Sequence, residues 1–224
     1  MRFPALPRRL ITASLLAALV AITHAADPVA GVDFVWVDLG EENEGLLLTQ
    51  EEQGDGMTEP DDVGGLECRI NPWPYAGPGH NHMYFRIDDA YLFATNTEAW
   101  IIMEYFDSAD AQQIDCQYDS NGAGAVAGAF RGAGDGAFEA AKPTGSETWL
   151  THTFHLEDGR FENRANASDF RLSSHGQGSI WINRVWVSLV EPPEDFDPEL
   201  PFGVSRPVDA AGKAVTTWAA LRDR

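Results

Sequence analysis

Two histidines and a tyrosine form the clearest set of side chains for acid–base chemistry in this chain. His80, His82 and Tyr84 follow one another at intervals of two residues, and alternate residues of a β-strand share a face. If the chain is an enzyme, this pattern predicts His82 as general base and Tyr84 as general acid. The two histidines also fit a metal site, with a third ligand from Asp88, Asp89 or Glu104. The simpler expectation is local hydrogen bonding at a strand end, with no catalytic residue in the chain.

Aromatic side chains are candidates for stacking on sugar rings. Trp73 and Tyr75 lie in a loop rich in Pro and Gly, and such a loop tends to present its rings rather than bury them. Trp186 alternates with Val185 and Val187, so the pattern predicts that its ring points away from the core. We expect the three aromatic residues to bind ligand, with packing inside the loop as the alternative for the first two.

A group of polar residues between positions 163 and 171 adds hydrogen-bonding candidates. Asp169 and Arg171 are two apart on a predicted strand, so their side chains share a face. They are expected either to pair and clamp a neighbouring loop, or to grip sugar hydroxyls. The preceding loop supplies Asn163, Arg164 and Asn166.

Short aromatic and β-branched segments carry most of these residues. Acidic or Gly-containing breaks separate segments at 34–37, 45–50, 66–70, 83–87, 91–93, 100–106, 114–118, 149–156, 169–172 and 179–189. That spacing is typical of an antiparallel β-sandwich, and we expect an all-β fold. A Gly/Ala-rich stretch at 121–136 has too few large side chains to fix a core, so it predicts a mobile loop.

Both ends of the chain are predicted to lie outside the sandwich. Residues 1–25 combine three arginines, a short apolar run and a small final residue, as in a secretory signal peptide. The domain is expected over 26–190, followed by a Pro-rich acidic linker and tail at 191–224. Residues 209–224 have the pattern of a short amphipathic helix. We therefore expect a secreted or periplasmic protein.

Two cysteines remain for an exported domain, Cys68 and Cys116. An even pair in an oxidising compartment predicts one disulfide. A catalytic cysteine is the weaker alternative, because the two lie in separate predicted strands.

The charge balance restricts the partners. The chain has 15 basic and 35 acidic residues, for a net charge of −20. Such a chain is repelled by nucleic acid and by anionic lipid headgroups. We expect neither nucleic-acid binding nor membrane insertion.

Seven segments, in one order along the chain, resemble the galactose-binding-like jelly-roll domains found alone or attached to secreted glycoside hydrolases and polysaccharide lyases. They are EGLLLTQEEQGDG (44–56), VGGLECR (63–69), MYFRIDDAYLF (83–93), MEYFDS (103–108), QYDS (117–120), TGSETWLTHTFHLEDGRFENRANASDFRL (144–172) and SIWINRVWV (179–187). The run from Trp149 to Arg171 is the most specific of them. The resemblance implies a jelly-roll sandwich and a non-catalytic carbohydrate-binding module.

The resemblance also implies a structural Ca²⁺ between an early strand and the last one. Hard oxygen ligands suit this ion, and the acidic residues near the early strands are Glu42, Glu44, Asp55 and Asp61. No segment matches an EF-hand loop, so this ligand set is a hypothesis.

The sequence thus favours a secreted, non-catalytic module that binds a polysaccharide or other glycan. The first alternative is a small jelly-roll polysaccharide lyase or glycoside hydrolase that works through His82 and Tyr84, or through a carboxylate pair. The second is an envelope or matrix adhesion module that binds protein. No serine-hydrolase, zinc-protease or phosphate-loop motif occurs in the chain.

Overall fold

A computed structural model describes residues 33–72, 82–194 and 196–198, and these form an all-β sandwich of two antiparallel sheets. The strands are β1 (Phe34–Asp38), β2 (Glu44–Leu46), β3 (Leu48–Glu51), β4 (Glu59–Val63), β5 (Leu66–Asn71), β6 (His82–Ile87), β7 (Thr97–Phe106), β8 (Ile114–Tyr118), β9 (Arg131–Gly132), β10 (Ala140–Ala141), β11 (Trp149–Gly159), β12 (Phe170–Ser173) and β13 (Ile180–Ser188). A single π-helical turn spans Ala125–Ala129. Within these residues, no helix is long and apolar enough to cross a membrane.

The two sheets divide the strands between them. The first sheet has the order β11-β7-β13-β1-β2, and β5 extends it by pairing with both β13 and β4. The second sheet has the order β10-β8-β12-β6-β3, with β9 paired to β8. The core lies between the sheets, because alternate residues of each strand point inward.

Strand β6 shows how this alternation divides the residues. Met83, Phe85 and Ile87 are fully buried members of the core. His82 and Tyr84 occupy the alternate positions, so their side chains lie on the outward face of the second sheet. The predicted strand over 83–87 is confirmed, and the structure begins it one residue earlier.

Three sequence predictions about secondary structure are wrong. Residues 91–93 form a turn, although Tyr91 and Leu92 still pack in the core. The polar segment before residue 65 contains β4, an edge strand that pairs only with β5. The Gly/Ala-rich stretch is not simply a loop, because it contains the π-helical turn and β9, which pairs with β8.

The predicted disulfide is also wrong, because Cys68 and Cys116 are both free and buried. Cys68 lies in β5 of the first sheet, where its Sγ is 3.5 Å from the carbonyl oxygen of Asp61. Cys116 lies in β8 of the second sheet and belongs to the core. Both strands were predicted, but the pairing failed because Cys116 belongs to the core cluster between the sheets and Cys68 does not.

Candidate functional site

The outward face of the second sheet carries two adjacent rows of polar side chains, here called the polar face. Cross-strand pairing places the members of each row side by side. The first row runs across β6, β12 and β8 and consists of His82, Ser173 and Asp115. The second row runs across β3, β6, β12 and β8 and consists of Glu51, Tyr84, Arg171 and Gln117.

In the second row, Arg171 forms hydrogen bonds to the side chains on both neighbouring strands, Gln117 and Tyr84. Its Nε and Nη2 donate to the Gln117 side-chain oxygen at 2.9 and 2.6 Å. Its Nη1 donates to the Tyr84 hydroxyl at 2.9 Å. The ring of Phe130, from the Gly/Ala-rich stretch, lies 4.1 Å from the guanidinium carbon. The three donating nitrogens of Arg171 are thus engaged within the protein, and an aromatic ring covers its charge.

Tyr84 links this network to two loops. Its hydroxyl donates to Asp55 Oδ1 at 2.8 Å and accepts a hydrogen bond from Asn166 Nδ2 at 2.8 Å. The side chain is fully buried. Burial, followed by the hydrogen bond to Asp55, raises the pKa of Tyr84 above its ordinary value. Tyr84 is therefore a neutral, fully hydrogen-bonded phenol at physiological pH.

The first row, in contrast, contains polar groups that the protein leaves incompletely satisfied. Asp115 is fully buried, and its Oδ2 is hydrogen-bonded to Nε2 of His175. Burial raises the pKa of this carboxyl above its ordinary value, and the hydrogen bonds from His175 and Gln117 act in the opposite direction. Asp115 Oδ1, His82 Nδ1 and Ser174 Oγ are buried and have no hydrogen-bond partner in the described part of the chain. An unsatisfied buried polar group costs roughly 1–3 kcal/mol, so the two in this row, on His82 and Asp115, are a feature that requires an explanation.

His82 is held in its neutral form. Burial, and after it the positive charge of Arg171, lower its pKa to about 4. Asp55 acts in the opposite direction, with its Oδ2 3.6 Å from His82 Nε2. Above about pH 4 the imidazole can therefore accept a proton or a hydrogen bond.

An exposed aromatic ring lies beside the Asp115 end of the first row. Phe138 is 38% exposed, and its ring meets the ring of His175 edge to face, with centroids 6.3 Å apart. Both residues have positive φ, 56° and 51°. Bulky side chains rarely adopt this left-handed conformation, which costs roughly 1–3 kcal/mol per residue. The fold thus holds two strained residues in contact beside the unsatisfied groups.

Four of the predicted site residues meet at the polar face. His82 and Tyr84 are neighbours on β6, with ring centroids 5.8 Å apart. Arg171 and Asn166 both donate to the Tyr84 hydroxyl. Among these, only His82 belongs to the incompletely satisfied row.

Three other predicted residues organise the loop after β11. Asp169 accepts hydrogen bonds from the backbone nitrogens of Ile87 at 2.8 Å and Asn163 at 3.1 Å. Arg164 donates through Nε to the buried carboxylate of Asp119 at 2.8 Å. The Asn163 side chain donates to Asp89 at 2.9 Å. These contacts fix the loop to β6 and β8. Asp169 thus bonds to the backbone of Ile87 and Asn163, whereas Arg171 bonds to Gln117 and Tyr84.

Among the predicted aromatic residues, Trp186 is placed outside the core, but it is covered. Its ring is only 1% exposed and lies 5.1 Å from the Phe196 ring, centroid to centroid. It therefore offers no open platform for a sugar. Trp73, Tyr75 and His80 lie outside the described residues, as do the signal peptide and the tail helix, so these stay predictions.

The predicted calcium ligands do not converge. Glu42 and Glu44 are exposed near β2, Asp55 bonds to Tyr84, and the Asp61 carboxylate on β4 accepts a 2.8 Å bond from Trp181 Nε1. Within residues 33–72, 82–194 and 196–198, no three His, Cys, Asp or Glu side chains are grouped to hold a metal ion. A structural Ca²⁺ stays a prediction without a located site.

Sequence reasoning missed several residues of the site, among them Asp115, Gln117, His175 and Phe138. Asp115 and Gln117 alternate with Ile114, Cys116 and Tyr118 in β8. Polar residues at alternate positions of a predicted strand were a usable signal that this strand has an outward polar face. His175 and Phe138 come from turns, where no periodicity marks them.

The chain matches no protein-family model and no curated protein. The galactose-binding-like assignment therefore stays a prediction, while the sandwich fold itself is observed.

Proposed function

We propose that the protein binds carbohydrate at the first row of the polar face and does not cleave it. The observation that supports this is the pair of buried, unpartnered polar atoms on His82 and Asp115. A neutral imidazole nitrogen accepts or donates, and a carboxylate oxygen accepts. Sugar hydroxyls also donate and accept, so a saccharide that reaches this row satisfies both.

The exposed ring of Phe138 provides the apolar part of such a site. Aromatic faces pack on the C–H face of a pyranose, and the few polar groups around them fix the orientation of the sugar. Phe138 lies beside His175, and His175 bonds to Asp115. Stacking and hydrogen bonding would thus act on one sugar unit or on two neighbouring units.

Affinity electrophoresis on gels that contain different polysaccharides tests this proposal. The panel should include neutral, amino and uronate polymers, together with a polymer-free gel as control. The proposal predicts retarded migration on at least one polymer, and unchanged chain length of that polymer after incubation. Unretarded migration on every gel, or shortening of the retained polymer, would contradict it.

The second candidate function is a polysaccharide lyase, which the adjacency of His82 and Tyr84 favours. A neutral histidine next to a protonated tyrosine is a suitable base–acid pair for β-elimination. Tyr84, however, is fully buried and its hydroxyl has three hydrogen-bond partners. The phenol would have to give up these hydrogen bonds before it could protonate a substrate, and this places the lyase second.

Ultraviolet absorbance of unsaturated products separates the two candidates. A lyase generates absorbing ends from uronate polymers, and the His82→Ala variant stops their formation. Turnover that depends on His82 would replace the binding proposal by the lyase.

A further inference from the structure

We infer that the ligand is a glycan whose sugars carry protonated amino groups, an inference that rests on the proposed carbohydrate binding. The polar face combines three carboxylates with one guanidinium. Asp115 and Glu51 lie on its two rows, and Asp55 reaches it from the loop after β3. Arg171 supplies the positive charge. Carboxyl groups thus outnumber the guanidinium in these rows, and a cationic ligand would offset their negative charge.

The unpartnered oxygen of Asp115 indicates which ligand group would meet this negative charge. The residue is fully buried, and Oδ1 has no donor among the described residues, while Oδ2 is bonded to His175. An ammonium group has three donors and forms charge-assisted bonds that are stronger than those of a hydroxyl. It is therefore the ligand group best matched to this oxygen.

Asp55 offers a second carboxylate at the same end of the sheet. Its side chain is 40% exposed, and Oδ2 lies 3.6 Å from Nε2 of His82. Oδ1 is bonded to the Tyr84 hydroxyl. Asp55 thus adds a partly exposed carboxylate at the His82 end of the first row.

A uronate is disfavoured by the same arrangement. Arg171 is the cation within the two rows, but its bonds to Gln117 and Tyr84 use three of its five N–H groups, and Phe130 covers it. The neighbouring Arg86 on the same face of β6 pairs with Asp89. A sugar carboxylate would instead face Asp55 and Asp115. The net charge of −20 on the whole chain adds a longer-range repulsion.

Calorimetric titration with two matched oligosaccharides tests the inference. One is an oligomer of glucosamine, titrated at a mildly acidic pH at which its amines are protonated, and the other is its fully N-acetylated counterpart. The inference predicts that the free-amine oligomer binds about tenfold tighter or more, the increment typical of a hydrogen bond to a charged group. The preference should shrink as salt is added, because part of the attraction is screened. Equal or tighter binding of the N-acetylated oligomer would overturn it.

Two variants and one control test which carboxylates produce the preference for the free amine. Asp115→Asn should remove most of the preference for the free amine, and Asp55→Asn should reduce it without touching a buried carboxylate. Glu98→Gln is the matched control, because Glu98 also bonds to a histidine, His155, but on the first sheet. An unchanged preference in both Asp variants would overturn the inference.

The two failures are distinguishable. If the N-acetylated oligomer or a neutral polymer binds as well as the free amine, only this inference fails. If no glycan of any charge binds, the proposed carbohydrate binding fails with it.

Discussion

The ring of Phe138 meets the imidazole of His175 edge to face, at an interplanar angle of 72°, and each residue adopts a left-handed backbone conformation. His175 in turn bonds to the buried Asp115. One chain of contacts therefore joins an exposed aromatic ring to a carboxylate that lies at zero exposure on the sheet.

Replacement of Phe138 by Ala should weaken glycan binding and leave the sandwich folded. The ring is 38% exposed and lies outside the core cluster, so its loss removes the stacking surface and only the local packing on Gly132 and His175. We expect a cost of about 0.5–1.5 kcal/mol, or roughly a two- to tenfold rise in Kd. Leu150→Ala is the control, since Leu150 is 40% exposed on β11 of the first sheet. Calorimetric titration measures both, and an equal effect of the two changes would remove Phe138 from the site.

Both cysteines should be present as unreactive thiols in the folded protein. Burial raises the pKa of Cys68 to about 12, helped by Asp61 and Asp62, and raises the pKa of Cys116 well above its ordinary value. The thiolate is the reactive form, so a thiol reagent at mildly alkaline pH should label neither residue. After denaturation without reductant, the same reagent should label both. Unfolded protein with no free thiol would show that a disulfide forms after all.

Acidification should cost the protein stability through His82. Its folded-state pKa is about 4, against an ordinary value of 6.5. Between these values the unfolded chain binds a proton that the folded chain does not, so stability falls as pH drops from about 6.5 towards 4. The cost reaches about 3 kcal/mol at most. Arg171, Asp55 and His175 are the charged or titratable groups that act on this imidazole.

The comparison of urea unfolding with a His82→Gln variant isolates this contribution. Asp169, whose pKa is raised to about 7 mainly by burial, gives the opposite slope, because its neutral form is favoured in the folded state. Asp169 is present in both the protein and the variant, so its contribution to the pH dependence cancels in the comparison. The difference in unfolding free energy between the protein and the variant should therefore change across pH 4–6.5 and be constant above it. A constant difference throughout the range would contradict the depressed pKa of His82.

The strands were largely predictable because most of them alternate apolar and polar residues. Ile114–Tyr118 was predicted at its observed bounds. Glu59–Val63 was missed because its residues are polar and include Pro60, and it becomes a strand only by pairing with β5 at the sheet edge. Sequence patterns report a strand that is half buried, and this one is almost wholly exposed.

The site was predictable only where it lies on strands. The two-residue period placed His82 and Tyr84 on one face, and it also placed Arg171 on an outward face of its own strand. The strand order of the sheet decides which strands are neighbours, and therefore which of their outward faces adjoin. The sequence pattern does not contain that order. His175 and Phe138 reach the site from loops in which both have positive φ values. Among residue types only Gly signals a positive φ in a sequence.

The most direct test of the account compares two histidine variants by calorimetric titration with the polysaccharide that retards the protein most strongly. His175 and His155 have similarly exposed side chains, 37% and 40%, and each bonds to a carboxylate, but on opposite sheets. His175→Ala should weaken binding about tenfold or more, because it removes both the partner of Asp115 and the contact of Phe138. His155→Ala should change the affinity less than about twofold. Equal affinities of the two variants, or a larger loss in His155→Ala, would show that the ligand does not bind at the polar face.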